Sequence, residues 1–97
     1  MEKVMLAEVR WVHVSQCGKN HFPREWDRYT PLVEFENDIR AEGTSWSSDM
    51  TFVEVTDEYS IVEFSYLVNE APYENIYPGH KFKLYEGLRL VASGVIL

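Results

Sequence analysis

Three side chains near the N-terminus are of the types that bind metals or act as nucleophiles: His13, Cys17 and His21. Zinc prefers imidazole and thiolate ligands, and a thiol beside an imidazole forms a pair of nucleophile and base. A spacing of four residues brings side chains together on a helix, but this segment has the sequence of a strand end followed by a turn-rich loop. We therefore predict neither a metal site nor a catalytic nucleophile here.

Adjacent carboxylates are a second arrangement that can do chemistry, and Asp57-Glu58 is the clearest pair. General acid–base catalysis needs a pocket that holds a substrate against the carboxylate. This pair lies between two apolar, alternating segments, which is typical of an exposed turn, so we expect no pocket around it. The sequence predicts a protein that is not an enzyme and that uses no cofactor.

The elements that position these residues are predicted to be strands, because apolar and polar residues alternate with a period of two. Six segments show the pattern and no long helical period occurs, which predicts an all-β barrel or sandwich. Loops are expected over 16–31 and 41–49, with a helical turn within 24–28 as the best candidate for helix. The predicted strands start at Met5 (Met5, Ala7, Val9 and Trp11 on one face) and cover 32–35, 50–55, 59–68, 81–85 and 88–96, the last two forming a hairpin around Glu86-Gly87.

Length and composition favour one domain over residues 1–97, since 97 residues that are 45% hydrophobic suit a single core. No apolar run approaches the roughly 18 residues of a membrane span, and Met1-Glu2-Lys3-Val4 lacks the order of a signal peptide. The single Cys17 gives no reason to expect an oxidising compartment. We predict a soluble cytoplasmic protein without a membrane contact; an unpaired strand edge would give a dimer, so monomer and dimer both remain open.

Charge is distributed unevenly along a chain whose formal net charge is -7. No Lys or Arg occurs between Glu42 and His80, so an acidic face is expected there. Such a face attracts basic proteins and repels nucleic acid, although it is also what a solvated strand face looks like. The acids of this stretch are Glu42, Asp49, Glu54, Asp57, Glu58, Glu63, Glu70 and Glu74.

Aromatic residues outside the predicted strands supply candidate anchors for a partner. Large amphipathic rings in loops often anchor binding, but small barrels also use them as lids over the core. Trp26, Trp46, Tyr73 and Tyr77 lie in loop-like segments, and both interpretations stay open for them. The predicted partner-binding residues are Glu54, Asp57, Glu58 and Glu63, together with exposed Trp46 or Tyr73.

Two groups of turns resemble the third domain of bacterial elongation factor Tu. The C-terminal group has Tyr77-Pro78-Gly79, then Glu86-Gly87 with Arg89 two residues on, and Gly94 inside an apolar strand. The N-terminal group has Ala7-Glu8-Val9, followed by 18–23 (Gly-Lys-Asn-His-Phe-Pro) and 29–35 (Tyr-Thr-Pro-Leu-Val-Glu-Phe). The resemblance covers roughly half of the chain, and it implies a free-standing six-stranded antiparallel Greek-key barrel.

In the parent factor this domain helps to hold aminoacyl-tRNA and a nucleotide-exchange partner. The chain has no G-x-x-x-x-G-K-[ST] motif, since Gly18-Lys19 is followed by Asn20, so GTPase activity is not implied. Thr30 occupies the place of the family's arginine, which removes one phosphate contact. The matching loop keeps Lys19 and His21, with Arg24 and Arg28 nearby. These four are candidate RNA-contact residues, and a solvated loop is the other interpretation of the cluster.

Two hypotheses for function follow. The first is a non-enzymatic interaction module that binds a basic protein through the acidic face, with an immunity- or antitoxin-like protein as a specific form of it. The second is a translation-linked tRNA- or RNA-binding module that uses the loop from Lys19 to Arg28. The net charge favours the first hypothesis, and the identity of the partner and the biological process do not follow from the sequence.

Overall fold

The computed structural model of the chain describes residues 3–12, 22–37 and 46–97. Nearly all regular structure in these ranges is strand, and a single short 3-10 helix, Tyr73–Asn75, accompanies it. The predicted all-β fold is therefore confirmed. The strands are β1 Met5–Trp11, β2 Arg28–Tyr29, β3 Leu32–Phe35, β4 Trp46–Val55, β5 Ser60–Tyr66, β6 Lys81–Glu86 and β7 Arg89–Ile96.

Six of the strands close into an antiparallel barrel in the order β4-β3-β6-β7-β1-β5, with β5 pairing again with β4. Strands β3, β4 and β5 follow one another as neighbours, and β6 returns after the connection 67–80 to lie beside β3. This is the Greek-key order. Closure pairs both sides of these strands, so the six-stranded Greek-key barrel predicted from the sequence is confirmed.

The short strand β2 is the first part of one strand that continues as β3. Its pairing with β4, Tyr29 opposite Met50, has the same register as Leu32 opposite Ser47. Pro31 interrupts the strand because proline has no backbone N–H to donate. Its carbonyl oxygen still accepts hydrogen bonds from the backbone N–H of Ser48 at 2.8 Å and from the Ser48 hydroxyl at 2.7 Å.

The core is formed by the inward residues of every strand, as the period of two requires. Phe82 shows how tightly it is packed: a Cβ at Gly94, its partner on β7, would lie 2.4 Å from the ring. Only a glycine leaves room for that ring. The largest fully buried side chains include Phe52, Phe64, Phe82, Met50, Ile76 and Leu84.

Two local expectations are wrong. Strand β4 begins at Trp46, so the predicted loop 41–49 ends earlier than expected, and residues 41–45 lie outside the described residues. The helical turn is at Tyr73–Asn75, whereas 24–28 contains a turn and the start of β2. The predicted hairpin of β6 and β7 is confirmed, with its turn one residue later, at Gly87-Leu88. Gly87 there has a φ of 64°, a left-handed conformation that favours glycine. In the described part of the chain, no helix has the length and apolar character that crossing a membrane requires.

Candidate functional site

The turn that joins β4 to β5 is held rigidly and presents two carboxylates to solvent. Thr56 closes it: its hydroxyl donates to the carbonyl of Tyr59 at 2.9 Å and accepts from the N–H groups of Glu58 and Tyr59 at 3.3 and 3.1 Å. The backbone N–H of Thr56 also bonds to the Tyr59 carbonyl at 2.9 Å. Asp57 and Glu58 are therefore exposed on a fixed loop, as the sequence predicts.

A bulge in β4 brings a third carboxylate to the same surface. The register with β5 shifts between Phe52, which faces Val62, and Glu54, which faces Ile61. Strict alternation would turn Glu54 into the barrel, because Phe52 two residues earlier is buried. The extra residue reverses the alternation, so Glu54 is exposed, and re-aiming a side chain in this way is a known effect of bulges.

Glu54 sets the electrostatics of the neighbouring ring. Its carboxylate raises the pKa of Tyr59 by its negative charge and by a hydrogen bond, and Glu8 adds a smaller charge effect in the same direction. The Arg10 guanidinium lies 5.7 Å from the centre of the Tyr59 ring and partly opposes this, while it pairs with Glu8 at 3.2 Å. Negative charge prevails around Tyr59.

Glu63 completes a set of four acids on one hairpin. It is exposed on β5, between Leu6 of β1 and Thr51 of β4. Because Glu54 lies opposite Ile61, two residues before Glu63, both carboxylates point outward from neighbouring positions. We call Glu54, Asp57, Glu58 and Glu63 the acidic hairpin surface. Strands β4 and β5 and the turn between them contain no Lys or Arg to neutralise it.

Asp49, which also lies on β4, forms an ion pair with an arginine. The Arg28 guanidinium donates two hydrogen bonds to its carboxylate, at 2.8 and 3.0 Å. This fork raises the pKa of Arg28, through the hydrogen bond first and the charge second. Arg28 was one of the candidate RNA contacts, and the carboxylate of Asp49 already occupies two of its five N–H donors.

A groove lies beside the acidic turn. It has a volume of about 330 Å³ and shares Asp57 with the acidic hairpin surface. The ring of Phe22 meets Trp11 edge-on with centroids 5.1 Å apart, and Trp11 stacks on core residue Phe52 at 6.1 Å. We call it the aromatic groove. Its lining includes Trp11, Val12, Phe22, Pro23, Val55 and Asp57.

The aromatic anchors expected from the sequence need correction. Trp46 is not in a loop; it is the first residue of β4, half-buried and packed against the core. Val55, at the other end of β4, is nine positions further along the chain, which is about 30 Å in a strand. Tyr73 is buried, with its ring 5.4 Å from that of Tyr66, so the expectation of an exposed Tyr73 is wrong.

The other two aromatic residues that the sequence places in loops are exposed. Trp26, at the turn before β2, is 72% exposed, and Tyr77 is 40% exposed with its ring stacked on His80 at 4.4 Å. The backbone N–H of Trp26 donates to the carbonyl of Phe52, so its turn lies against the part of β4 that leads to the acidic hairpin surface. Sequence reasoning placed Trp26 among the loop aromatics but missed this position, as it missed Phe22 and the bulge.

The other candidate residues are placed only in part. His13, Cys17, Lys19 and His21 lie outside the described residues. Arg24 is exposed in the turn before β2, and its backbone N–H donates to the carboxylate of Asp27 at 2.9 Å. Within residues 3–12, 22–37 and 46–97, no three His, Cys, Asp or Glu side chains are grouped as metal ligands would be.

No protein-family model matches the chain, and the searches of curated proteins and of solved structures find no match either. Its function is therefore inferred from the geometry of the site.

Proposed function

We propose that the chain is a non-enzymatic interaction module that binds a basic protein through the acidic hairpin surface. The observation that carries the proposal is the grouping of Glu54, Asp57, Glu58 and Glu63 on one rigid hairpin. Complementary charge of this kind steers a partner into place and rejects acidic competitors. An immunity- or antitoxin-like role against a basic nuclease is a specific form of the proposal.

The aromatic groove supports the choice of a protein as the partner. Interfaces with useful affinity combine a desolvated apolar centre with a charged rim. Phe22 and Val55 are 39% and 37% exposed, and both line the groove that reaches Asp57. A basic partner that inserts an apolar side chain there would place its cations against the acidic turn.

The proposal includes the resemblance to the third domain of elongation factor Tu and a cytoplasmic location. A closed barrel of six antiparallel strands, with turns at Pro78-Gly79 and at Gly87, supports the resemblance. One cysteine in the whole chain is in keeping with a reducing compartment. Neither point bears on how the acidic hairpin surface would bind.

The test begins with capture of the partner from the native lysate, with and without ribonuclease, followed by titration of the purified partner. The double variant Asp57→Lys/Glu58→Lys should weaken binding about tenfold or more, because it reverses two charges in the interface. The matched control is Glu34→Lys/Glu36→Lys, which changes the net charge equally on or just after β3, away from the hairpin. We expect the control to bind within about threefold of the wild type.

Equal losses in the two variants would show that only net charge matters and would contradict the proposal. Capture of RNA that disappears on ribonuclease treatment, and that weakens when Arg24 and Lys19 are replaced by alanine, would support the RNA-binding alternative instead. Affinity for the basic protein should also fall as salt rises from about 50 to 300 mM, since exposed charges are screened.

A further inference from the structure

Trp26 has an unusual backbone conformation for its residue type. Its φ is 71°, in the left-handed region, and among the described residues other than glycine it is the one with positive φ. Bulky side chains are rare there because the Cβ approaches the following carbonyl oxygen. Glycine or asparagine is the usual residue at such a position.

The surrounding hydrogen bonds fix this conformation. Within the turn, the N–H of Asp27 bonds to the carbonyl of Arg24 at 3.0 Å, and the Asp27 carboxylate accepts from the N–H of Arg24 at 2.9 Å. Across to β4, Phe52 accepts from the N–H of Trp26 and donates to the carbonyl of Asp27 at 3.0 Å. The backbone requires positive φ here, whichever side chain is present.

Burial of the indole within the fold does not offset that backbone strain. At 72% exposure Trp26 buries little apolar surface, whereas an aromatic residue kept for stability is normally packed. Strained residues that persist without a packing reason concentrate at binding sites. Glycine at this position would favour folding more than tryptophan does. The indole is therefore explained by contact with another molecule.

The charges near the indole indicate what it would bind. The turn contains Glu25 and Asp27, and its contact with Phe52 places it two residues from Glu54. Among aromatic side chains, tryptophan attracts a cation over its ring most strongly. A carboxylate near the ring adds Coulomb attraction for the same cation. Arg24 is exposed on the same turn, and the Arg28 guanidinium is paired with Asp49.

We propose that Trp26 is the anchor of the interface and receives a Lys or Arg side chain of the basic partner over its indole ring. This inference rests on the proposed function, which it deepens by naming the residue and the contact. Trp26 and the acidic hairpin surface then form one continuous site for a cationic partner.

Two measurements on the full-length variant Trp26→Gly test the proposal. Because glycine relieves the strain, the melting temperature should rise by about 4 °C. Affinity should fall about tenfold in a titration with a defined probe, a peptide of alternating glycine and arginine. The same peptide with citrulline for arginine keeps the shape without the charge and should bind no better to the wild type than to the variant.

Trp26→Phe is the companion variant, since it keeps both a ring and the strain. It should melt close to the wild type and bind with intermediate affinity. A lower melting temperature for Trp26→Gly would show that the indole stabilises the fold, and wild-type affinity of that variant for the arginine peptide would show that it is no anchor. Either result overturns the inference.

Failure of the anchor is distinguishable from failure of the proposed function. If Asp57→Lys/Glu58→Lys weakens binding of the arginine peptide and Trp26→Gly does not, the anchor is wrong and the acidic hairpin surface remains. If neither variant weakens binding, or if the wild type does not bind the peptide, both proposals are overturned.

Discussion

Two segments outside the barrel strands carry aromatic residues, and they use them in opposite ways. The turn 24–27 holds Trp26 out in solvent, whereas the connection 67–80 buries Tyr73 and His80 and stacks the partly exposed Tyr77 on the His80 ring. Hydrogen bonds to strands or within the segment hold both of them in place, so the two segments do not differ in being structurally ordered. The segments differ in whether most of their aromatic surface is buried or exposed. Burial in the connection 67–80 stabilises the fold, whereas the exposed indole in the turn 24–27 is available for recognition.

The connection 67–80 covers the core with a polar network. The hydroxyl of Tyr73 lies 3.1 Å from the carbonyl of Val68, and the amide of Asn75 donates to the Tyr66 hydroxyl at 3.4 Å. His80 Nδ1 is 2.8 Å from the backbone carbonyl of Asn75, and because a carbonyl only accepts, Nδ1 carries the proton. The His80 ring packs between Phe35 at 4.6 Å and Tyr77 at 4.4 Å.

Replacing the buried tyrosine should give the largest effect on stability. Tyr73→Ala is expected to lower the free energy of unfolding by about 3–5 kcal/mol, because it opens a cavity under the connection. Tyr73→Phe should cost only about 1 kcal/mol, the value of the lost hydroxyl contacts. Urea unfolding of both variants checks this, and a Tyr73→Ala variant as stable as Trp26→Gly would erase the contrast between the two segments.

Gly94→Ala should have the next largest effect. The added methyl group would meet the Phe82 ring at 2.4 Å and the backbone oxygen of Glu8 at 2.7 Å, so one of them has to move. Overpacking of this kind costs about 1–3 kcal/mol, measured by the same unfolding experiment. Two results together would contradict the close approach of Gly94 to the Phe82 ring. Gly94→Ala would leave the free energy of unfolding unchanged, and Gly94→Ala/Phe82→Leu would be no more stable than Gly94→Ala.

A smaller effect is expected in the titration of Tyr59. The Glu54 carboxylate raises the pKa of Tyr59, so Glu54→Gln should bring it back toward 10.0. A raised value favours the protonated form in the fold, so this contribution to stability is present below about pH 10 and is lost as the pH rises past the folded-state pKa. Ultraviolet titration of the wild type and of Glu54→Gln is repeated with Tyr59→Phe added to each. Subtracting the second curve from the first gives the titration of the Tyr59 ring alone. An unchanged pKa in Glu54→Gln would contradict the geometry of the bulge.

The smallest effect on stability is predicted for the acidic turn itself. Asp57 and Glu58 are exposed, and substitutions at such positions usually change the free energy of unfolding by less than about 0.5 kcal/mol. Asp57→Lys/Glu58→Lys should therefore unfold at nearly the wild-type urea concentration. A large loss would mean that the turn serves the fold, which would weaken its role as a binding surface.

The strands and the barrel could be predicted from the sequence because a period of two is a local signal. Met5, Ala7, Val9 and Trp11 alternate as the inward face of β1 requires, and 32–35 was predicted with the bounds of β3. The start of β4 at Trp46 could not be read in the same way. Its serines and aspartate resemble a loop, and only their pairing with β3 and β5 shows that they belong to a strand.

The candidate site was predicted in its charges but not in its shape. Asp57 and Glu58 were expected in an exposed turn, and they lie in one. The bulge that exposes Glu54 depends on the register between two strands, and the φ of Trp26 depends on hydrogen bonds to Phe52. Neither feature leaves a pattern in the sequence. The burial of Tyr73 leaves none either, so it was missed as well.

The most direct test of the acidic hairpin surface is to map the contacts of the purified basic partner by NMR, following backbone and indole N–H signals of the chain. The proposed function predicts that the signals of Glu54, Asp57, Glu58 and Glu63 shift most, while those of 67–80 stay in place. The anchor proposal adds a shift of the Trp26 indole signal. Shifts confined to the exposed face of β6 that carries Lys81 and Lys83, or to the connection 67–80, would contradict the proposed function.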